Sequence, residues 1–322
     1  MNLVYHYIIE QYKILQQDHP SEESFLSMIV NTQIEQNPLE FSNNQEEVSL
    51  SKMTYFIESL SILEEKKIFN AFAKNDINNI IDIYQKAFKE NFVILDYLKM
   101  FKVRLLLGES MAEDTLIKVI DDFSNFLYKS DYLFVKHFVV LICEVIEVLF
   151  LIKNIVSSKR VESLIESYID VLISRMNDVD FSIQQHSFFL SDTSSMMQSL
   201  YWEEGDVRKS ILLLREDLGS IRYDYKELGG IISQHILLIS ALSKMESEYF
   251  GVQVGILGII SGFDKLYTVT QNNKFFEEGI RWTNILERSI INCAQTEQKL
   301  DIRTFIDISL SYNYLKNKKW KM

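Results

Sequence analysis

The chain contains 322 residues, of which 47% are hydrophobic and 24% are charged, and its net charge is −12 at pH 7. This composition is sufficient for a sizeable buried core and argues against a globally disordered chain. The acidic balance disfavours nonspecific binding to DNA or RNA, which needs a basic face that displaces counterions. We therefore predict a folded protein with no nucleic-acid partner.

The most apolar stretch of the chain, residues 138–152, contains Glu144 and Glu147. It is shorter than the ~20 apolar residues that a membrane helix needs, and a carboxylate near the middle of a bilayer is costly. The N-terminal residues do not show a basic region followed by an apolar run, as a signal peptide would. The sequence predicts a buried helix over 138–152, no membrane span and a cytoplasmic location.

The first elements form a candidate N-terminal arm. Residues 3–16 have apolar side chains at helical spacing, and the turn at Pro20 is followed by acidic residues that favour a helix start. Residues 38–47 are polar and are typical of a linker. We predict a helical arm over 1–48 and a helical-hairpin domain over 49–322.

Helix follows helix in the second region, and no window alternates apolar and polar residues as a half-buried strand does. The predicted helices are 51–73, 76–107 (one helix, or two that break near residues 90–91), 112–128, 131–155, 159–176, 181–199, 206–218, 223–246, 252–269, 273–295 and 300–316. Helices of this length with short links form antiparallel hairpins. The predicted fold class is all-α, with stacked hairpins that close as an α/α toroid or extend as an α-solenoid.

Glycine is concentrated late in the chain, with nine of the ten glycines between Gly205 and Gly279. Four of them follow one another at intervals of four, three and four residues, which places them within about 60° on one helix face. They are Gly251, Gly255, Gly258 and Gly262. Four interior glycines would cost a helix about 3–4 kcal/mol. This cost predicts a peptide-binding or close-packing face, and it halves if the first two glycines form a loop before the helix.

The segment that contains these glycines forms a complete hairpin over residues 251–291. The glycines are followed by Leu266-Tyr267, by a polar turn around Asn272 and by a second helix that opens with Phe275. This pattern resembles the repeating hairpin of lanthionine synthetase C-like proteins, the lanthipeptide cyclases. Val254 stands where several family repeats have histidine. The resemblance implies an α/α toroid and a role that assists peptide modification.

The ligands that the family's zinc site would require do not follow the family pattern. Those cyclases bind zinc through two cysteines and one histidine, and here Cys143 and Cys293 each lack a histidine nearby in sequence. Two alternatives remain. Either the two cysteines are buried structural thiols, or the fold brings them together with His137, His186 or His235 as zinc ligands. We predict the first, with no metal, no cofactor and a non-catalytic relative of the family.

The predicted function is a helical module that binds a peptide or a protein partner, with no catalytic residue assigned. One alternative is a toroidal enzyme that acts through carboxylates with raised pKa values in a central cavity. Glu144 and Glu147 are spaced as a possible acid–base pair for such chemistry. The other alternative is a solenoid regulator that binds a signalling peptide in a groove of Asn, Gln and aromatic residues.

Overall fold

A computed structural model of the chain confirms the all-α class. It describes residues 1–20, 23–30, 50–63, 94–106, 111–128, 138–156, 158–176, 187–189, 196–203, 205–218, 223–243, 249–296 and 298–317. These residues form α-helices joined by turns, and the described part of the chain contains no β-strand.

The described residues form twelve α-helices, numbered here in chain order. They are α1 (Asn2–Asp18), α2 (Glu23–Val30), α3 (Leu50–Leu63), α4 (Ile94–Leu106), α5 (Glu113–Tyr128), α6 (Phe138–Lys153), α7 (Lys159–Ile173), α8 (Asp206–Leu213), α9 (Tyr223–Leu242), α10 (Ile256–Thr270), α11 (Asn273–Gln295) and α12 (Ile302–Asn317). Among these helices, none combines the length and the apolar composition that crossing a membrane requires.

The first of two compact units consists of residues 1–92, 245–261 and 279–322. Within this unit α12 packs against α1, α2 and α3. Every residue from Phe305 to Tyr314 is buried, so polar side chains of α12 lie in the core with the apolar ones. The Gln11 side chain accepts a hydrogen bond from the Leu300 amide over 2.9 Å, which fixes α1 to the start of α12. Two helices of the predicted 1–48 arm therefore contribute to this core.

The second unit consists of residues 93–244 and 262–278. Helix α6 lies at its centre and packs against α4, α7 and α8. All residues from Val140 to Ile146 are buried, which confirms the predicted buried helix. Ser158 is the N-cap of α7, and its side chain accepts a hydrogen bond from the Arg160 amide and so satisfies one of the free amides of the first turn. Helix α8 in turn packs against α9.

The predicted helix over 181–199 is wrong where the structure describes it. Residues 187–189 are irregular, and Met196–Leu200 is a short 3-10 helix. The Ser187 hydroxyl donates to Asp206 Oδ1 over 2.6 Å, and the Phe188 amide donates to Asp206 Oδ2 over 2.9 Å. These side-chain hydrogen bonds replace the backbone bonds that a helix would need.

Candidate functional site

The predicted glycine face divides at the first residue of α10. Gly251 and Gly255 lie in the loop before the helix, and Gly258 and Gly262 lie within it. The four residues therefore do not share one continuous helix face. The helix carries only two interior glycines, which reduces the expected cost to about 2 kcal/mol.

The loop before α10 folds back on the helix that follows it. The carbonyl groups of residues 249–251 accept hydrogen bonds from the amides of residues 256–258 over 3.0 to 3.4 Å. The first amides of a helix have no partner within the helix and must be satisfied from outside it. We name residues 249–255 the glycine loop, and its backbone caps α10.

Close approach explains the glycines of this loop. A Cβ atom on Gly255 would lie 2.5 Å from the Gly251 nitrogen, which is closer than real side chains allow. A Cβ atom on Gly251 would lie 2.8 Å from the Tyr55 hydroxyl and 3.0 Å from Asp307 Oδ2. The space beside both residues is therefore filled by the chain itself.

Gly262 also meets a close neighbour, in the second unit. A Cβ atom at this position would overlap Cγ1 of Val207 on α8. Glycine thus lets the two helices approach each other closely. The chain's own atoms occupy the space at Gly251, Gly255 and Gly262. The predicted peptide-binding or close-packing role of the four glycines stays a prediction.

A buried acid–hydroxyl pair lies against the glycine loop. The Tyr55 hydroxyl of α3 donates to Asp307 Oδ1 of α12 over 2.6 Å. Burial raises the pKa of Asp307 to about 7, although the Tyr55 hydrogen bond and the Arg303 charge oppose the shift. Burial and the Asp307 charge also raise the pKa of Tyr55. The Arg303 guanidinium lies 4.5 Å from the centre of the Tyr55 ring.

A second buried pair joins the same loop to α3. The Gln253 side chain donates a hydrogen bond to the Glu58 carboxylate, and both residues are buried. We name Tyr55, Glu58, Gly251, Gln253 and Asp307 the glycine-loop cluster. Asp307 is the member of this cluster whose pKa burial raises into the neutral range. The hydrogen bonds of the cluster hold α3 to α12 and to the loop.

The second unit contains a cluster of buried charges around α6. Lys102 Nζ lies 2.7 Å from Glu144 Oε2 and 2.9 Å from Glu147 Oε2. Arg208 Nε donates to Glu147 Oε1 over 2.8 Å. Its Nη2 atom lies 2.6 Å from Glu144 Oε1 as an ion pair outside hydrogen-bond geometry. We name Lys102, Glu144, Glu147 and Arg208 the charge cluster.

The cations of the charge cluster keep both carboxylates ionised. Burial raises the pKa of Glu144, but the attraction of Arg208 and Lys102 outweighs burial, so the net pKa lies below its ordinary value. The pKa of Glu147 is lowered in the same way. The predicted alternative of an acid–base pair at Glu144 and Glu147 required raised pKa values, and the shifts run in the opposite direction. These glutamates are ion-pair partners.

Asp206 is a further carboxyl group with a raised pKa. Burial raises its pKa to about 6, against the hydrogen bonds from Ser187 and Phe188. It is the first residue of α8, a position at which the helix dipole stabilises a carboxylate. Lys209, one turn later, donates to the Gly205 carbonyl over 2.7 Å. Asp206 thus fixes the segment at residues 187–188 to the start of α8.

An exposed aliphatic face lies on α9, in the second unit. Ile231, Leu238 and Leu242 expose 46%, 52% and 53% of their surface. They are spaced by seven and four residues, and at 100° per residue they lie within about 40° of one another. Gln234 and Ala241 are exposed on the same side. We name Ile231, Gln234, Leu238, Ala241 and Leu242 the α9 ridge.

The sequence does not single out the α9 ridge, because α9 carries aliphatic residues on its buried face as well. Ile232, Ile236 and Ile239 are buried in the same helix. A pattern that is aliphatic on every side predicts a fully buried helix. The one local signal is the Gly229-Gly230 pair beside Ile231.

Metal-ligating residues do not converge in the part of the chain that the structure describes, where no group of three His, Cys, Asp or Glu side chains is placed to hold an ion. Cys143 is buried, and burial raises the pKa of its thiol. His235 makes an edge-to-face contact with the Phe188 ring at 5.1 Å between ring centres. His137 and His186, the other predicted alternatives, lie outside the described residues.

Comparisons of the chain with protein-family models, with curated proteins and with solved structures found no match. The resemblance of residues 251–291 to lanthionine synthetase C-like proteins therefore stays a prediction from the sequence.

Proposed function

We propose that the protein is a non-catalytic helical module that binds a peptide or a protein partner through the α9 ridge. The observation that carries the proposal is the exposure of Ile231, Leu238 and Leu242 on one helix face. Single exposed aliphatic residues are common, but an aligned set of large ones is typical of an interaction surface. Burying apolar surface contributes roughly 25 cal/mol per Å² to association.

The spacing of the ridge residues suits a helical or extended partner that lies along α9. Anchors separated by seven and four residues present a continuous apolar strip to one partner element. The resemblance of residues 251–291 to lanthionine synthetase C-like proteins is the only support for a peptide substrate of a modifying enzyme as that partner. Within the proposal, such a peptide would contact the α9 ridge.

Selection of peptides from a displayed random library against the full-length protein tests the proposal. The selected peptides should bind the wild-type protein and should bind Ile231→Lys/Leu238→Lys at least tenfold more weakly. Two lysines would place charge within the apolar contact, and burying an unpaired charge is costly. Fluorescence polarisation with labelled peptides measures both dissociation constants.

A matched control separates the ridge from general surface hydrophobicity. Ile117 of α5 is also an aliphatic helix residue of the second unit and is 40% exposed. The Ile117→Lys variant should bind the selected peptides as the wild type does. Equal binding to wild type and to the double variant would place the binding surface elsewhere and refute the proposal.

A second candidate function is acid–base catalysis by Asp307, and one observation favours it. Its pKa of about 7 is suited to proton transfer near neutral pH. The test is hydrolysis of a panel of glycosides and peptides by wild type and by Asp307→Asn. An activity with a pH profile centred near 7 that disappears in Asp307→Asn would favour catalysis over the binding module.

A further inference from the structure

The glycine loop lies directly on the carboxyl group of Asp307. A Cβ atom on Gly251 would lie 3.0 Å from Asp307 Oδ2 and 3.3 Å from its Cγ, so this carboxyl group fills the space of the missing side chain. The Tyr55 hydroxyl lies 2.8 Å from the same point and donates to Asp307 Oδ1. The loop backbone therefore forms one wall around a buried acid–hydroxyl pair.

The surroundings of Asp307 suit a neutral carboxyl group better than a charged one. Tyr55 is its only hydrogen-bond donor among the residues that the structure describes, and this bond is made to Oδ1. An ionised carboxyl group can accept several hydrogen bonds, and burying it without them is costly. While the loop is closed, the protonated form is therefore favoured over the carboxylate.

The charges around Asp307 do not offset its burial. Burial is the largest influence and raises the pKa of Asp307 to about 7. The Tyr55 hydrogen bond and the charge of Arg303 lower the pKa, and the charge of Asp301 raises it. Glu58 of α3 accepts its hydrogen bond from the loop. Helices α1 and α2 also pack on α12, and none of their described residues contributes a charge that shifts this pKa.

The glycine loop is an irregular segment between packed helices. The Gln253–Glu58 hydrogen bond connects it to α3, and the Ser311 hydroxyl of α12 donates to the Phe250 carbonyl over 3.4 Å. Helix α12 itself packs against α1, α2 and α3. Local opening takes place at the segments that are held least firmly. Displacement of the loop is therefore the easiest way to hydrate an ionised Asp307.

We propose that the glycine loop is a pH-sensitive latch, which is closed over Asp307 while that carboxyl group is protonated and opens when the proton is lost. Opening hydrates the carboxylate and brings the buried residues Phe250 and Val252 to solvent. It also releases the amides of residues 256–258 at the start of α10. The latch lies in the first unit and does not depend on the α9 ridge.

The direction of the pH dependence follows from the pKa of Asp307 in the two arrangements. With the loop closed the pKa is about 7, and a hydrated Asp307 has the ordinary value of 3.8. The closed loop binds the proton more tightly, so closure is favoured fully below about pH 4. The equilibrium shifts toward the open loop as the pH rises, and it becomes constant once the pH exceeds about 7.

Hydrogen–deuterium exchange at the amides of residues 256–258 measures the opening. Their protection factors, corrected for the intrinsic exchange rate at each pH, should fall at least tenfold from pH 5 to pH 7 in the wild type. They should change little above pH 8. Asp307→Asn is neutral at every pH and should keep the protection constant. The control Glu287→Gln removes an exposed carboxylate of the same unit and should behave as the wild type.

The Arg303→Gln variant distinguishes a titrating latch from a contact that is merely structural. The charge of Arg303 lowers the pKa of Asp307, so its removal should raise the pH at which the protection factors become constant. Arg303 is exposed, so the substitution leaves the core of the unit unchanged. The same pH profile in Arg303→Gln as in the wild type would contradict the assignment of the transition to Asp307.

Exchange at the amides of α12 separates opening of the loop from unfolding of the unit. These amides should stay protected from pH 5 to pH 8 while residues 256–258 lose protection. A simultaneous loss at both places would show unfolding of the whole unit and overturn the latch. Protection of residues 256–258 that is independent of pH in the wild type, or that falls equally in Asp307→Asn, would also overturn it.

Discussion

Two glycine pairs in different regions of the molecule differ in the space beside them: both residues are enclosed in one pair, and only one residue is enclosed in the other. In the glycine loop of the first unit, Gly251 and Gly255 are enclosed by the chain's own atoms. In α9 of the second unit, Gly229 is enclosed while its neighbour Gly230 faces open space. The spacing of glycines in a sequence therefore does not distinguish an enclosed position from an open one.

The largest expected effect is at Gly255. The Gly255→Leu variant should lose about 3 kcal/mol or more of unfolding free energy, because its Cβ would lie 2.5 Å from the Gly251 nitrogen. Backbone cannot move aside as a flexible side chain can. Urea unfolding followed by circular dichroism measures the change. The same substitution at Gly230 is the control, and it should cost less than about 1 kcal/mol.

A pH-dependent effect is expected at Asp307, which touches the other enclosed glycine. Its folded-state pKa of about 7 lies above the ordinary value of 3.8, so the folded protein binds the proton more tightly than the unfolded chain. The contribution of protonated Asp307 to the unfolding free energy is fully present below about pH 4 and is lost as the pH rises through 7. Asp307→Asn should therefore match the wild type near pH 4 and exceed its unfolding free energy by about 2–4 kcal/mol at pH 8.

The Glu144→Gln variant should show the opposite pH dependence. The folded-state pKa of Glu144 is lowered below 4.5, so its charge stabilises the fold above that pH and the stabilisation is lost on acidification. The variant should be less stable than the wild type at pH 8, with the difference shrinking below pH 4. Parallel pH profiles for the two variants would contradict the assigned directions of the pKa shifts.

A smaller loss is expected at Gly229. The Gly229→Ala substitution should destabilise the fold by about 1–2 kcal/mol, because the new methyl group would lie 2.9 Å from Leu213 Cβ and 3.0 Å from Leu214 Cγ. These side chains can yield in part, which makes the effect smaller than at Gly255. Urea unfolding measures it, and an unchanged midpoint would show that α8 and α9 do not pack this closely.

The smallest effect has the opposite sign and occurs one residue later. Gly230→Ala should stabilise the fold by about 1 kcal/mol, since alanine favours the helix and, beyond the adjacent helix backbone, no atom of the described residues lies within 4 Å of the new Cβ. The adjacent substitutions would thus shift the unfolding midpoint in opposite directions. A loss of stability in Gly230→Ala would show that the space beside it is filled.

Much of the helical pattern could be predicted because local periodicity determines it. The helix predicted over 273–295 matches α11 at both ends. The helix predicted over 252–269 begins later, at Ile256, because the glycine loop folds back and caps it. The helix predicted over 181–199 fails at residues 187–189 because Ser187 and Phe188 hydrogen-bond to Asp206. Local periodicity does not reveal a partner that lies almost twenty residues later in the chain.

The sites were harder to predict, because they depend on contacts between distant residues. Tyr55 and Asp307 are separated by 252 positions in the sequence. The α9 ridge has a different cause, since the aliphatic residues on both faces of α9 are chemically alike. The packing of α9 against α8 and against the 3-10 helix Met196–Leu200 determines that Ile232 is buried, while Ile231 is exposed.

The affinity of a library-selected peptide for three proteins tests the binding proposal most directly. These proteins are the wild type, Ile231→Lys/Leu238→Lys and Ile117→Lys. A rise of at least tenfold in the dissociation constant for the double variant alone is the predicted result. Equal affinity for all three proteins would contradict the assignment of the α9 ridge as the binding surface.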